Sequence, residues 1–410
     1  MAFRRIFYLA AFLLVPALSA VTPLIAIPAI TSTAGARGWE AYALGLSIGS
    51  AACVIVELGW PLTGPQRVAA EAPGDRWRTL VSSIRTRLLV LLILGPLAVL
   101  VAIALTRITG AAYTITAALM AAASASTGLS GNWYFTGVGK PLRILTSDAI
   151  PRALLVSAAS LAVVGGAPLQ VIPAGFLIAV LFSPVASLLL ARHERREKAR
   201  FTLRDDVRVM RLQFTAMSGR SVAALYAALP ITLVGIFAPA AVATFAAAER
   251  LMRMSLTVLQ AVPNALQNWL GSAPSRGEMR RRARMAIALN SSVGVVAGTG
   301  FALIAPWFAP ILFTGTVAID PLLATAAGIV LALVCVTRAT GPLALIRYGR
   351  VHAVTASAIA AAIVGVPAIC ILAVLYGAVG ATMGEILAEV TAASVQIAVL
   401  WRILRRPPKT

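Results

Sequence analysis

Charged residues are scarce in this sequence. Of its 410 residues only 12% are charged, whereas 60% are hydrophobic and the mean hydropathy is +0.89. A soluble domain of this length needs far more polar surface to cover its core. A soluble fold is therefore excluded, and we expect lipid to surround most of the chain.

Residues that form disulfides or bind metals are also few. The three cysteines, Cys53, Cys335 and Cys370, are far apart and lack the spacing of a disulfide or a metal site, so we interpret them as small packing residues. The sequence has no glycine-rich nucleotide loop, no cluster of metal ligands and no arrangement typical of a catalytic nucleophile. We expect no cofactor, no metal and no enzymatic activity.

Long apolar runs dominate what is present. A membrane-spanning helix needs about 20 mostly apolar residues, and we find twelve such segments: 6–30, 41–62, 88–105, 110–138, 144–165, 171–191, 213–237, 242–270, 285–313, 322–346, 351–376 and 379–401. The sequence thus predicts an all-α integral membrane protein with twelve transmembrane helices. The longest charged loop divides them into two six-helix lobes, residues 1–191 and 213–410, joined by a basic linker at 192–212.

Positive charge is concentrated in alternate connections between these segments. The chain has a net charge of +21, and the opposite set of connections carries only Arg37 and Arg107. The positive-inside rule places the basic set, and both termini, in the cytoplasm. That set comprises Arg4, Arg5, Arg67, Arg76, Arg78, Arg85, Arg87, Lys140, Arg143, the run from Arg192 to Arg211, Arg276, Arg280, Arg281, Arg282, Arg284, Arg347, Arg350, Arg402, Arg405, Arg406 and Lys409.

These basic connections suggest lipid contact rather than nucleic-acid binding. The charges lie in short loops without interleaved aromatic residues, so we expect no nucleic-acid partner and some contact with anionic head groups. The tandem acids Asp205 and Asp206 lie in the same basic loop, and we interpret them as a solvated charge pair. We also interpret residues 1–30 as an uncleaved first span, because the apolar run continues past the Ala17–Ser19 segment that could be a cleavage site.

Charged residues inside the predicted spans are the candidate functional residues, because each is costly in a bilayer unless it faces a partner or water. They include Arg220, Arg250, Arg253, Arg338, Glu57, Glu385 and Glu389. Two further pairs, Glu249 with Arg253 and Asp148 with Arg152, have the four-residue spacing that allows pairing on one helix face.

The arginines of the second half suggest an anionic ligand. If they face a shared cavity, that cavity is positive, and the planar fork of a guanidinium suits phosphate in particular. The alternative is internal ion pairing that only fixes helix packing. Glu385 and Glu389 share a helix face, and two like charges so close suggest a countercharge, a hydrated cavity or a raised pKa. Proton coupling is a hypothesis for these two acids, with Glu57 as a further coupling or cavity acid.

Pairs of glycines four residues apart indicate close helix packing. They occur at Gly45 and Gly49, Gly294 and Gly298, and Gly380 and Gly384. Small residues at this spacing let two membrane helices approach closely. Pro230 in the seventh segment further predicts a bent helix.

The order of these features resembles the MATE-like (MOP) superfamily of transporters, especially its polysaccharide and O-antigen flippases. There are three local matches. The first consists of residues 23–42, followed by 57–60 and 64–67. The second is the aromatic-glycine stretch 132–137 with Lys140, and the third is residues 244–251, followed by Pro263. Residues 249–252 (Glu-Arg-Leu-Met) match a stretch of lipid II flippases whose arginine serves the diphosphate, so the resemblance gives Arg250 that role. Those flippases also use arginines in their first two spans. Neither span contains one here, which argues against lipid II as the substrate.

The resemblance implies a function without covalent chemistry. Two lobes around a central cavity would move an undecaprenyl-diphosphate-linked oligosaccharide from the cytoplasmic to the outer leaflet of a bacterial plasma (inner) membrane, by alternating access, for surface polysaccharide biosynthesis. Arginines would hold the diphosphate, and the candidates for this role are Arg250, Arg253, Arg220 and Arg338. The expected partners are this substrate, membrane lipids, and the polymerase or ligase machinery that uses such lipids.

Three other functions compete with this one. A multidrug exporter of the same superfamily would favour an acidic cavity, whereas the buried excess here is arginine. A membrane glycosyltransferase or polymerase needs catalytic carboxylates or histidines on outer loops, where Glu40 and Asp320 are almost the only acids. A scaffold without transport activity explains the buried arginines poorly.

Overall fold

A computed structural model describes residues 2–110, 112–194, 202–271 and 275–405. Within these ranges the side chains are described at all positions except 2–21, 203, 214–223, 264–265, 268, 271, 276 and 404–405. The described residues form helices joined by short turns. The helices are α1 (Ala2–Val56), α2 (Trp60–Ala70), α3 (Pro73–Ile108), α4 (Thr114–Ser126), α5 (Asn132–Gly137), α6 (Pro141–Ile144), α7 (Ile150–Val164), α8 (Val171–Ala191), α9 (Leu203–Ala228), α10 (Pro230–Phe237), α11 (Val242–Leu259), α12 (Ala261–Gly271), α13 (Arg276–Leu312), α14 (Pro321–Arg338) and α15 (Val351–Arg405).

Seven helical segments of the described chain are long and apolar enough to cross a membrane. The two longest are more than twice the length that one span needs: Thr22–Ala70 has 49 residues and Val351–Ile403 has 53. Within them, α1 and α15 each consist of two helices that meet at a left-handed glycine, Gly35 (φ 62°) in α1 and Gly377 (φ 59°) in α15. The protein is an all-helical, multi-pass membrane protein, while twelve spans in two six-helix lobes remain a prediction.

The outer surface of these helices is apolar and their contacts are made by small residues. Ile93 of α3 is 73% exposed and Trp307 of α13 is 80% exposed. The buried positions are instead rich in alanine, serine, threonine and glycine. Because lipid removes the hydrophobic drive between helices, membrane proteins pack through such small residues and expose large apolar ones.

The three glycine pairs lie at close helix contacts, as the sequence predicts. A Cβ added at Gly45 would overlap the carbonyl of Ala117 in α4, and one at Gly298 would overlap the carbonyl of Gly328 in α14. A Cβ at Gly380 would overlap the carbonyl of Leu372, so the two halves of α15 pack against each other as a hairpin.

Prolines interrupt the helices where the sequence predicts longer spans. α9 ends at Ala228 and α10 begins at Pro230, which confirms the bend predicted there. The predicted segment 242–270 is instead two helices, because α11 ends at Leu259 and α12 begins at Ala261. Pro263 has no N–H to donate to the carbonyl four residues earlier, so the helical hydrogen-bond ladder cannot continue through this point.

The described chain divides into two compact units, Met1–Thr232 and Leu233–Thr410. α9 belongs to the first unit, and its first residues fall within the segment predicted as a linker. There, Thr202 and Asp205 form a reciprocal cap. The hydrogen bonds from Thr202 lower the pKa of the Asp205 carboxyl.

Asp206 corrects one expectation from the sequence. Its side chain is 1% exposed, and its Oδ2 accepts a hydrogen bond from Arg85 Nη2 of α3 at 2.7 Å. The interpretation of the tandem acids as a solvated pair is therefore wrong for Asp206. The pairing joins residues 121 apart in sequence, and no local pattern indicates it.

Candidate functional site

Four of the predicted site residues come together in the second unit, at a polar cluster inside α11, α14 and α15. They are Arg253, Arg338, Glu385 and Glu389, and Glu249 joins them. We call these five residues the charged cluster. All three helices are rich in apolar residues, so the cluster is a concentrated polar site in an apolar part of the chain.

On α11, Glu249 pairs with Arg253 as the four-residue spacing predicts. Arg253 Nε donates to Glu249 Oε1 at 2.6 Å, and the Arg253 Nη2 group also contacts this oxygen. Glu249 is buried, whereas the Arg253 side chain remains 42% exposed. The cationic end of the pair is therefore the accessible one.

On α14 and α15, the other members of the cluster bind backbone and hydroxyl groups. Arg338 Nη1 donates to the carbonyl of Leu256 in α11 at 2.9 Å. Glu389 accepts a hydrogen bond from Thr337 Oγ1 at 3.0 Å and interacts electrostatically with Arg338 and Arg253. Arg338 is the last residue of α14, where the helix widens into a π-helical segment, Ala339–Leu345. Such widened turns are frequent at functional sites.

Glu385 is the most deeply placed acid of α15. It is buried and lies within electrostatic range of Glu249, Arg253 and Glu389. Three carboxylates therefore share the cluster with two guanidiniums. The acids offset the charge of Arg253 and Arg338, so these two arginines do not by themselves create a positive surface.

Arg250 lies on α11 between the members of the Glu249–Arg253 pair and is half-buried. Because successive residues of an α-helix are about 100° apart, Arg250 occupies a different face from that pair. α11 contains Glu249 as its single acid against two arginines, which leaves the helix one positive charge in excess. The side chain of Arg220 in α9 lies outside the described residues, so its predicted role stays a prediction.

An uncharged polar network extends the interior of the second unit. Thr340 Oγ1 donates to Gln396 Oε1 at 2.5 Å, and Gln396 Nε2 donates to Ser357 Oγ at 2.9 Å. Asn290 Nδ2 donates to the Cys335 carbonyl at 2.5 Å. These residues are not among the predicted site residues, which are all charged. Glutamine and asparagine inside apolar segments are the signal that would have found them.

Glu57 lies in the first unit, in the tight turn that follows α1. The next two residues have left-handed backbone, Leu58 at φ 48° and Gly59 at φ 71°. Glu57 is half-buried and interacts electrostatically with Arg87 of α3. This acid is therefore part of a separate polar site within the first unit.

Arg87 is a buried arginine of α3 that binds backbone carbonyl groups. The sequence places it in a basic connection between spans, yet its side chain is 1% exposed inside the first unit. Its Nη1 donates to the carbonyls of Gly128 and Ser130 at 2.7 and 2.8 Å, and its Nε donates to the Ser83 carbonyl at 3.2 Å. The carbonyls of Gly128 and Ser130 lie where α4 gives way to a short 3₁₀ turn and lose their helical partners, so Arg87 satisfies them.

Residues 132–137, the aromatic-glycine stretch of the sequence, make structural contacts within the same unit. Asn132 Nδ2 donates to Asp148 Oδ2 at 2.7 Å, and Asp148 also pairs with Arg152, which confirms that predicted pair. Tyr134 donates to the buried Glu194 at 2.5 Å. Trp133 stacks on Trp60 with ring centroids 5.1 Å apart.

Comparison with known proteins identifies the fold. No family model matches the sequence, and no curated protein matches it. Solved structures match over nearly the whole chain. A multidrug resistance MATE family transporter of the MOP superfamily, in an inward-facing conformation, matches with a TM-score of 0.62 and 17% identity over 96% of this chain and 98% of the other.

Two further structures come from transporters described differently. The lipid II flippase MurJ, in an inward closed conformation, matches with a TM-score of 0.67 and 13% identity over 97% of this chain and 87% of the flippase. A MOP superfamily transporter from Pyrococcus furiosus, described as having a binding pocket of reverse polarity that suggests a different function, matches with a TM-score of 0.58 and 16% identity over 97% and 95%. At these identities the similarity establishes the fold: the chain is a multi-pass membrane protein with a MATE-like transporter fold.

Proposed function

We propose that the protein is a flippase that moves an undecaprenyl-diphosphate-linked oligosaccharide from the cytoplasmic to the outer leaflet of a bacterial plasma membrane. The observation that carries this proposal is the charge of α11. Its one acid, Glu249, is paired with Arg253, and Arg250 adds a second guanidinium on another face of the same helix. An arginine fork inside a membrane protein suits a diphosphate better than a neutral or cationic cargo.

In this proposal the residues divide into two groups. Arg250 binds the diphosphate, with Arg253, Arg220 and Arg338 as further contacts. The second group consists of the acids Glu385, Glu389 and Glu57, which are the candidates for coupling to a proton. Because three carboxylates cannot all be ionised beside two guanidiniums without cost, the charged cluster is suited to gain and lose a proton.

The proposed cycle needs no covalent chemistry. Two six-helix lobes alternate between openings to the two sides of the membrane, and both termini lie in the cytoplasm. The substrate's lipid tail stays in the bilayer while the diphosphate and sugar cross. The flipped lipid then passes to the polymerase or ligase machinery of surface polysaccharide synthesis. A shared fold with a lipid II flippase supports transport of a lipid-linked sugar.

A MATE-like exporter of cationic compounds is the second candidate. The observation that favours it is the same charged cluster, in which carboxylates outnumber guanidiniums by three to two. A multidrug resistance transporter also shares the fold. The two functions differ in the sign of the cargo, so one experiment can separate them.

The test is the sidedness of lipid-linked oligosaccharide in native membranes from cells depleted of this protein. We expect the lipid to accumulate on the cytoplasmic leaflet, and wild-type protein to restore its transfer. Arg250→Ala should fail to restore it. Arg250→Lys keeps the charge but loses the fork, and should restore it only in part.

A matched control is Arg281→Ala, which removes an exposed arginine from the start of α13 and should restore transfer fully. Membrane levels of all four proteins must be equal. Unchanged sidedness after depletion, in cells without a second flippase, would contradict the proposal. Loss of export of lipophilic cations in the same cells would then favour the exporter.

A further inference from the structure

A cavity of about 690 Å³ lies in the first unit, and its lining includes Leu58, the residue after Glu57, but none of the arginines proposed to bind the diphosphate. It is bounded by the end of α1, the middle of α3 and the beginning of α9. Its apolar lining consists of Ile55, Leu58, Val90, Ile93, Leu94 and Met210. The one charged residue of the lining is Arg211.

The walls of this cavity are held in place by specific contacts. The buried Asp206 of α9 pairs with Arg85 of α3. Two turns further along α9, Gln213 accepts a hydrogen bond from Thr63 of α2 at 3.0 Å. These bonds fix α9 on both sides of Met210 and Arg211. Specific contacts between the helices therefore maintain the shape of the cavity.

The cavity borders the lipid-facing side of α3. Ile93 is 73% exposed, and its neighbours Leu92 and Leu97 are also exposed, on a helix that is long and apolar enough to cross the membrane. An apolar chain can therefore enter from the bilayer without crossing water. The volume falls within the range of about 300–1,000 Å³ that is typical of ligand sites.

Arg211 determines which apolar molecule fits. Its side chain is exposed, and within the described part of the chain it makes no ion pair. An arginine at the end of an apolar cavity places its stem along the apolar wall and its guanidinium toward the head-group region. A guanidinium at that position can form a bidentate pair of hydrogen bonds with a phosphate group. Basic residues at the membrane surface also favour anionic lipids.

We propose that this cavity is a binding site for an anionic phospholipid. One acyl chain lies between α1, α3 and α9, and the phosphate binds the guanidinium of Arg211. The bound lipid stabilises the packing of the start of α9 against α3. This inference does not depend on which cargo the protein transports.

The experiment uses the full-length protein in bilayer nanodiscs of phosphatidylcholine that contain a small fraction of phosphatidylglycerol with a photoreactive acyl chain. Labelled peptides are mapped by mass spectrometry. We expect labels near Leu94 and Met210. Arg211→Gln should lower the labelling about fivefold, the effect of one basic residue on an anionic lipid at a membrane surface. Leu94→Trp, which fills the cavity, should abolish it.

Matched controls come from the same helices. Arg208→Gln removes an exposed arginine one turn earlier on α9, and Leu97→Trp adds the same bulk on the lipid-facing side of α3. Both should label as the wild type does. Because Arg211 is exposed, its substitution should leave folding intact, which monodisperse elution would verify; Arg211→Lys should retain most of the labelling.

Two results would overturn the proposal. Equal labelling by a photoreactive phosphatidylcholine would show that the cavity does not select anionic lipid. Competition by polyprenyl phosphate, with no competition by unlabelled phosphatidylglycerol, would assign the cavity to a polyprenyl tail instead.

Discussion

At the residue scale, the least expected feature is a buried arginine whose side chain donates hydrogen bonds to backbone carbonyls. Arg87 has its guanidinium buried and donates to two carbonyls that the end of α4 leaves without helical partners. A buried acceptor that loses its donor carries the full cost of its desolvation. Arg87 is thus a structural residue of the first unit, and its charge is balanced in part by Glu57.

We therefore expect Arg87→Ala to destabilise the protein by about 2–5 kcal/mol, because two buried carbonyls and Glu57 lose their partner. Arg87→Lys should recover only part of the loss, since the lysine side chain is shorter and its nitrogen stops short of the position of Nη1, the atom that donates to both carbonyls. Thermal unfolding in detergent measures this. Arg78→Ala, at an exposed position of the same helix, is the control and should change little. Equal effects of the alanine variants at positions 87 and 78 would refute the structural role.

The Glu249–Arg253 pair permits a second prediction at this scale. A double-mutant cycle with Glu249→Gln and Arg253→Gln should give a coupling free energy of about 1–3 kcal/mol, because Glu249 is buried. The pair of Glu278 and Arg281 has similar spacing, but the Arg281 side chain is 70% exposed. A double-mutant cycle with Glu278→Gln and Arg281→Gln should give a coupling free energy of less than about 1 kcal/mol. Equal coupling in the two cycles would mean that the buried pair is solvated in the membrane.

At the element scale, glycine spacing determines how closely helices approach. Gly298 of α13 lies against the backbone of Gly328 in α14, whereas nothing lies within 4 Å of a Cβ added at Gly300. Two glycines on one helix therefore differ in a single property, the presence of a neighbouring helix.

Gly298→Ala should lower the stability by about 1–3 kcal/mol, because the added methyl group forces α13 and α14 apart. Gly300→Ala should be neutral or stabilising, since alanine favours the helix. The measurement is the unfolding temperature of both variants beside the wild type. A stable Gly298→Ala variant would show that the two helices separate without cost.

The beginning of α9 provides a prediction about pH. The pKa of Asp205 is lowered by its hydrogen bonds to Thr202, so the cap is fully formed above the unfolded pKa of about 3.9. Its contribution is lost as the pH falls through the lower, folded pKa. Amide exchange of residues 203–206, corrected for its intrinsic pH dependence, should therefore accelerate at acid pH. Asp205→Asn should remove this pH dependence, and an unchanged profile in that variant would contradict the cap.

At the scale of the whole molecule, the sequence predicted what depends on local pattern. Apolar runs indicated a multi-pass helical membrane protein, and four-residue spacing indicated the Asp148–Arg152 and Glu249–Arg253 pairs. It missed the carbonyls of Gly128 and Ser130 that bind Arg87 and the arginine that binds Asp206, which are 41 or more residues away. Long-range partners depend on how helices pack, and no single segment encodes that. The roles of Arg250, Arg220, Glu385 and Glu389 in transport stay predictions.

The cargo that we propose for this transporter fold is anionic and lipid-linked. The most direct measurement reconstitutes the purified protein in vesicles that hold an undecaprenyl-diphosphate-linked oligosaccharide, and follows the fraction of sugar accessible to a membrane-impermeant reagent. We predict that this fraction rises above that of protein-free vesicles with wild-type protein and does not rise with Arg250→Ala. No rise with wild-type protein, in vesicles that still accumulate a lipophilic cation, would contradict the account.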